Sequence, residues 1–195
     1  MESKQSGIRL IVGLGNPGPQ YTNTRHNVGA WLVEHLSERR HLSFTKESKL
    51  KGRLCKKKQG ETTLLFFIPG TFMNESGLAV QTIAHFYRIP PQEILVAHDE
   101  LDFAPGVVRL KSSGGHGGHN GLRDIINKLG SNDFHRLRIG IGRPQHSGQV
   151  SNYVLSAPNK TESNQINKAI QSCENSINLL TEGEFNKAFL TLHSE

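Results

Sequence analysis

Short apolar segments alternate with segments of helical periodicity along this chain, and the alternation limits the folds that it can adopt. Residues 8–14 are an apolar run that ends at a Gly-Asn-Pro-Gly turn, and residues 28–40 then repeat apolar side chains at helical spacing. Strands that alternate with helices predict an α/β protein, with one mixed, twisted sheet and helices on both of its faces. The other predicted elements are strands over 50–58, 62–68, 94–97, 107–111 and 137–141, and helices over 77–87, 122–129, 162–180 and 185–192.

The length and composition of the chain indicate a single domain. A chain of 195 residues with 35% hydrophobic content can bury a core and suits one domain better than two. We therefore predict one domain over residues 1–195, in which the polar residues 1–7 form a disordered tail. No segment has the apolar length of a signal peptide or a membrane span.

Charge and cysteine content indicate the partner and the compartment. The net charge of +6 and the pI near 9.5 favour an acidic or phosphorylated partner, and nucleic acid is the first candidate. Cys55 and Cys173 are the only thiols of the sequence, which argues against a disulfide framework. A reducing compartment, and by default the cytoplasm, is therefore expected.

Five glycines surround two histidines and an asparagine in residues 114–122, directly before a predicted helix. Glycine costs conformational entropy, so a chain concentrates it where the backbone turns sharply or where another molecule comes close. A flexible linker would combine glycine with Ser, Lys or Glu instead of His and Asn. The segment therefore predicts a binding loop that is held by the helix after it.

Polar and titratable side chains follow the predicted strands at the points where these strands end. Ligands of α/β sheets bind at the carboxyl ends of the strands, so these side chains are expected to converge there. They are Asn16, Tyr21 and His26 after the first strand, Phe72 and Asn74 after the hairpin, Asp99 at the central strand, and His119 and Asn120 in the glycine loop. Such a set predicts an active site.

Three hydrolytic chemistries could use this set. The sequence argues against serine catalysis, because it has no Gly-x-Ser-x-Gly turn. A metal site would draw on His116, His119, His26 and Asp99, although hydrolytic metal motifs place their histidines on a helix rather than on a glycine loop. General-base hydrolysis needs a neutral histidine that takes a proton from water and a buried aspartate that fixes its tautomer. His26 with Asp99 fits this chemistry best.

Residues 13–18 match the Gly-x-Gly-x-x-Gly pattern of dinucleotide-binding turns. In that motif the helix begins within the pattern and presents its N–H groups to the pyrophosphate. Here Pro17 lacks an N–H, and the helical pattern begins about ten residues later. No acidic residue ends a strand at the spacing of roughly 20 residues that the motif uses. We therefore expect no dinucleotide and no other cofactor.

Six segments carry motifs that occur together in one known family: residues 11–18, 21–27, 71–77, 96–102, 114–122 and 134–142. They include Gly-Leu-Gly-Asn-Pro-Gly, Thr-Arg-His-Asn and His-Asp-Glu-Leu-Asp. In this order, and over residues 8–192, the chain resembles bacterial-type peptidyl-tRNA hydrolases. The resemblance implies an α/β monomer that acts without metal. It would cleave the ester between a peptide and the 3′ end of tRNA and return the tRNA to translation.

The resemblance also implies roles for individual residues. His26 would be the base and Asp99 its partner. The implied substrate contacts are Asn16, Tyr21, Phe72, Asn74, His119 and Asn120, and the implied clamp on the tRNA 5′ phosphate is Lys111 with Arg138. Asn74 is further expected to position the water or the oxyanion, with a helix cap as the alternative role.

The expected partner is tRNA with an N-blocked aminoacyl or peptidyl group, because an amide-lined site leaves an α-ammonium without a counter-charge. Two other classes stay open on the sequence, a metallohydrolase and an RNA-binding module without catalytic activity.

Overall fold

The computed structural model describes residues 6–193. The disordered tail predicted over residues 1–7 falls largely on residues 1–5, which lie outside the described residues. The strands are Leu10–Gly13 (β1), Thr45–Glu47 (β2), Gly52–Gln59 (β3), Thr62–Pro69 (β4), Ile94–Glu100 (β5), Val108–Ser112 (β6) and His135–Gly140 (β7). The α-helices are Val28–Glu38 (α1), Ser76–Phe86 (α2), Asn120–Leu129 (α3), Val150–Val154 (α4), Lys160–Thr181 (α5) and Phe185–His193 (α6).

The strands form one mixed sheet, as predicted. Within residues 6–193 the order is β2-β3-β4-β1-β5-β7-β6. The four central strands β4, β1, β5 and β7 run parallel. The pairs β2–β3, β3–β4 and β6–β7 at the two sides are antiparallel. β1 lies between β4 and β5, and the later strands are added on both sides of it. Such a switch point in strand order is where α/β sheets bind their ligands.

Helices cover both faces of the sheet and enclose two cores. Because side chains alternate along a strand, Ile11 joins one core while Leu10 and Val12 join the other. Helices α1, α5 and α6 pack on the face of Ile11, and α2 and α3 pack on the opposite face. The predicted α/β fold with helices on both faces is confirmed. Among the described residues, no helix combines the length and the apolar character needed to cross a membrane.

Two elements were not predicted, and β7, α3 and α5 each begin two residues earlier than predicted. β2 has the sequence Thr-Lys-Glu, which lacks any apolar alternation. Helix α4 buries only Val154, so its pattern is too weak to detect. β7 begins at His135 rather than at residue 137, because His135 and Arg136 are polar residues that are nevertheless buried in the sheet.

Candidate active site

His26 and Asp99 meet at the switch point of the sheet. Asp99 lies near the carboxyl end of β5, and His26 lies in a short 3-10 turn, Arg25–Asn27, that leads into α1. The distance from His26 Nδ1 to Asp99 Oδ1 is 2.8 Å, and the Asp99 side chain is only 3% exposed. The pairing that the sequence suggested for general-base chemistry is therefore present.

His119 bonds to the same carboxylate oxygen as His26. Its Nε2 lies 2.9 Å from Asp99 Oδ1, and its Nδ1 accepts a hydrogen bond from the backbone N–H of Leu122 at 3.3 Å. His119 is thereby the N-cap of α3. Because its Nδ1 is an acceptor, the proton of neutral His119 is on Nε2, which donates to Asp99. His26 donates to Asp99 through Nδ1, so the lone pair on His26 Nε2 remains available as a base.

The charges of this group are set by burial and by mutual contact. Burial by itself lowers the pKa of His26, but the charge and the hydrogen bond of Asp99 outweigh it and hold that pKa above the ordinary histidine value. Burial opposes ionisation of Asp99, yet the two histidines hold its pKa well below the usual range. His98 is a third imidazole beside them, and burial lowers its pKa to about 3, with His119 adding to the effect. Asp99 is therefore ionised and His98 is neutral near pH 7.

The same three side chains could in principle hold a metal ion. His26, Asp99 and His119 each offer a ligand atom, and these atoms lie within 4.8 Å of one another. Two of the atoms are ring nitrogens at hydrogen-bond distance from the carboxylate, so a cation between them would displace both bonds. His116, the fourth residue of the predicted metal set, does not join the group, and its Nδ1 accepts from the Gly118 N–H. The arrangement favours a hydrogen-bonded catalytic group over a metal centre.

Three asparagines lie around the histidines and differ in their hydrogen bonds and exposure. The Oδ1 atom of Asn16 accepts the backbone N–H of Met73 at 2.7 Å. The Asn16 backbone exchanges two further hydrogen bonds with the side chain of Asn27, at 2.9 and 3.0 Å. Asn16 is thus fixed, and its Nδ2 group is the part left for a ligand. Asn74 and Asn120 are exposed at the site.

The helix-cap alternative for Asn74 is not supported by the structure. Asn74 lies in the turn Met73–Glu75 before α2, whose cap position is Glu75, and α2 has no side-chain cap bond. The Asn74 side chain is therefore not used for capping. Asn27, the last residue of the Thr-Arg-His-Asn motif, acts on the site through Asn16, whose backbone it holds.

Two aromatic rings form one wall of the site. Tyr21 and Phe72 meet edge to face with their ring centroids 6.2 Å apart. Phe72 is 51% exposed, which is high for a side chain of this size. Tyr21 is half-buried, so the pair offers a partly exposed aromatic surface that is suited to a base or to an apolar peptide side chain.

The two residues expected to bind phosphate differ in their surroundings. Both line the site. Arg138 Nε donates to Glu100 Oε2 at 2.8 Å, so much of its charge is compensated within the protein. Lys111 is exposed and forms no ion pair within residues 6–193. Lys111 therefore has the less compensated charge of the two.

Arg136 has a structural role that the sequence did not reveal. It lies opposite Lys111 in the β6–β7 ladder and is 2% exposed. Its guanidinium donates to the backbone oxygens of Gly114 and Gly115, at 2.5 Å for Gly115. Arg136 thus holds the start of the glycine loop. Gly117 and Gly118 then turn the chain at φ values of 59° and 85°, which glycine adopts without strain.

All the predicted catalytic, substrate and phosphate residues line one cavity of about 770 Å³. They are Asn16, Tyr21, His26, Phe72, Asn74, Asp99, Lys111, His119, Asn120 and Arg138. A volume of this size lies within the range of small-ligand sites, roughly 300–1,000 Å³. The side chains that follow the strand ends thus line one cavity together, while the individual roles of all ten residues stay predictions.

Comparison with known proteins identifies the family. The sequence matches the family model for peptidyl-tRNA hydrolase over residues 10–195. It is 54% identical to a peptidyl-tRNA hydrolase of Coxiella burnetii over 188 residues, which cover 96% of this chain and 98% of the relative. It is 50% identical to that of Pasteurella multocida, with 94% and 95% covered. The crystal structure of peptidyl-tRNA hydrolase from Acinetobacter baumannii superposes with a TM-score of 0.94 at 43% identity, covering 98% of this chain and 97% of that one. The chain therefore belongs to the peptidyl-tRNA hydrolase family.

Proposed function

We propose that this protein hydrolyses the ester between the peptide and the tRNA of peptidyl-tRNA, with His26 as the general base. Hydrolysis of peptidyl-tRNA is the activity of the family to which the chain belongs. The observation that carries the mechanism is the buried Asp99 carboxylate, which accepts from His26 and leaves the His26 Nε2 lone pair available.

The reaction needs one proton to be moved twice. His26 Nε2 takes a proton from water while the water oxygen forms a bond to the ester carbon. Asp99 stabilises the imidazolium that results. The tetrahedral intermediate then collapses, its bond to the ribose oxygen breaks, and His26 returns the proton to that oxygen. The products are the peptide carboxylic acid and tRNA with a free terminal hydroxyl.

Asn74 supports the developing negative charge in this proposal. Its amide is exposed in the cavity and is not used in a helix cap, so its N–H groups are available to the ester oxygen or to the attacking water. The Nδ2 group of Asn16 and the amide of Asn120 bond the peptide group next to the ester. An ester is more reactive than an amide, so these few donors suffice.

The substrate in this proposal is tRNA with an N-blocked aminoacyl or peptidyl group. Lys111 and Arg138 bind phosphate on the tRNA side of the cavity, while Tyr21 and Phe72 contact the terminal base or the peptide. The protein acts as a monomer in the cytoplasm, where the buried thiols of Cys55 and Cys173 stay reduced. The molar mass of the pure protein, measured by light scattering, should equal that of one chain.

One assay separates this proposal from the two alternatives. Purified protein is incubated with N-acetyl-aminoacyl-tRNA, with and without a chelator, and release of the N-acetyl amino acid is measured. We expect equal turnover in both samples. Activity that the chelator abolishes would indicate a metallohydrolase, and binding of tRNA without release would indicate an RNA-binding module. Aminoacyl-tRNA with a free amine is the control and is expected to survive.

A further inference from the structure

A second cavity, of about 830 Å³, lies next to the active-site cavity. Asn16 lines both cavities. The second cavity lies at the same edge of the sheet, beside the end of β4 at Ile68 and Pro69 and the start of β3 at Gly52. None of the chemistry proposed above uses it.

Part of the wall of the second cavity is apolar. Pro17 and Pro19 come from the turn after β1, and Trp31 comes from α1. Trp31 Nε1 donates to the backbone oxygen of Thr22 at 2.7 Å, which fixes the indole against that turn. Proline and a held tryptophan give a surface that is rigid before a ligand arrives, so little ordering entropy is lost on binding.

The order of the strands gives the direction in which the substrate runs. The cations Lys111 and Arg138 lie on β6 and β7, at one side of the sheet. The His26–Asp99 pair lies over β1 and β5 in the centre. If the tRNA lies over β7 and the ester lies over the centre of the sheet, the peptide extends over β4. The second cavity, beyond Asn16, lies on that path.

The spacing of the strands gives the number of peptide residues between the ester and the second cavity. Neighbouring strands lie about 4.8 Å apart, so β3 is roughly 10 Å from β1. An extended peptide advances about 3.3 Å per residue. The peptide thus reaches the second cavity about three residues from the ester.

The rim of the second cavity is positively charged. Arg53 pairs with Glu34 at 2.6 Å, whereas Lys46 and Lys51 enter no ion pair within residues 6–193. Lys51 has a left-handed backbone, with φ at 57°, a conformation that a lysine adopts only at a cost. Glycine fits position 51 without this strain, so Lys51→Gly removes the charge and keeps the backbone conformation.

We propose that this second cavity is a subsite for peptide residues about three or more positions from the ester, and that it favours acidic over basic side chains there. The inference rests on the proposed function. Apolar contact with Trp31 and the two prolines binds the substrate's peptide whatever its sequence. Lys46 and Lys51 add the preference for negatively charged side chains.

The test compares substrates of two lengths. kcat/KM is measured for N-acetyl-aminoacyl-tRNA and for N-acetyl-pentapeptidyl-tRNA with Asp or Lys at the fourth and fifth positions from the ester. In Trp31→Ala we expect the ratio of long to short substrate to fall about tenfold, a change that corresponds to one lost apolar contact surface. Trp31→Phe keeps most of the wall and should keep most of the ratio. Phe86→Ala, which removes a 67% exposed aromatic outside both cavities, should leave the ratio unchanged.

Lys51→Gly tests the charge preference without straining the fold. We expect it to reduce the preference for Asp over Lys about threefold, as for one exposed charge pair, and to leave kcat/KM for the short substrate unaffected. An unchanged length ratio in Trp31→Ala, or an equal loss on both substrates, would overturn the subsite. A wild-type protein that releases nothing from the short substrate would instead overturn the proposed function.

Discussion

The two cavities that share Asn16 differ in how their polar groups are held. In the active-site cavity Asp99 is almost fully buried and accepts from two histidines. In the second cavity the charged groups, Lys46 and Lys51 among them, are exposed on the rim. Proton transfer requires atoms at fixed distances and shifted pKa values, which the close contact of Asp99 with the two histidines supplies. Binding peptides of many sequences requires only an apolar surface and a loose charge preference.

The first prediction removes the base from the active-site cavity. His26→Ala is expected to lower kcat by about 10²- to 10⁴-fold, because no other group takes the proton from water. Asp99 keeps its bond to His119 in this variant, so the protein should stay folded, which the melting temperature checks. Short and long substrates should lose the same factor, since both place their ester here.

His116→Ala is the matched control for this variant, because His116 lines the cavity without bonding Asp99. It should keep near-normal activity. If His26→Ala retained more than a few per cent of kcat, the base would have to be another residue, with His119 the next to test.

The second prediction removes the charge behind the base. Asp99 raises the pKa of His26, so Asp99→Asn should lower that pKa and move the acid limb of the pH–rate profile to lower pH. The plateau rate should fall roughly 10- to 100-fold, because an amide stabilises the imidazolium less than a carboxylate does. The profile of kcat/KM against pH is the measurement, and an unchanged acid limb would remove Asp99 from the pair.

The third prediction concerns the tRNA side of the active-site cavity. Lys111→Ala is expected to raise KM for peptidyl-tRNA about fivefold, as for loss of one exposed charge pair. The slope of log KM against log salt concentration should fall by about one, because one phosphate contact is lost. Arg138→Ala should have a smaller effect, because Glu100 already compensates much of its charge. A small ester without the tRNA body should react as in the wild type. Equal losses on both substrates would indicate that these residues support the fold.

The last and smallest effect is expected at the boundary of the two cavities. In Asn16→Asp, one carboxylate oxygen can still accept the Met73 N–H, and the other takes the place of the Nδ2 group. The new charge would pair with the α-ammonium of aminoacyl-tRNA, so the preference for N-blocked substrate should narrow about threefold, equal to roughly 0.7 kcal/mol. The ratio of kcat/KM for the two substrates measures it. A constant ratio in a folded, active variant would show that Asn16 does not contact the amino group.

The residues of the active site and the pairing of His26 with Asp99 were accessible from the sequence, but the other hydrogen bonds of the site were not. Strand ends that carry His26, Asp99 and Asn74 were expected to meet, and they do. That His26 and His119 share one oxygen of Asp99 could not be predicted, because such a contact depends on side-chain distances between three separate segments. The compensation of Arg138 by Glu100 and the use of Arg136 to hold the glycine loop were hidden for the same reason.

By itself the sequence determined the alternation of strands and helices, the two covered faces of the sheet and the residues that reach the site. These properties follow from local periodicity and from turn residues, which act over a few positions. Only the tertiary structure decided that β1 lies between β4 and β5 and that a second cavity opens beyond Asn16. Strand order and cavities depend on which distant segments pack together, and that choice is made by the summed burial of the whole chain rather than by any local pattern.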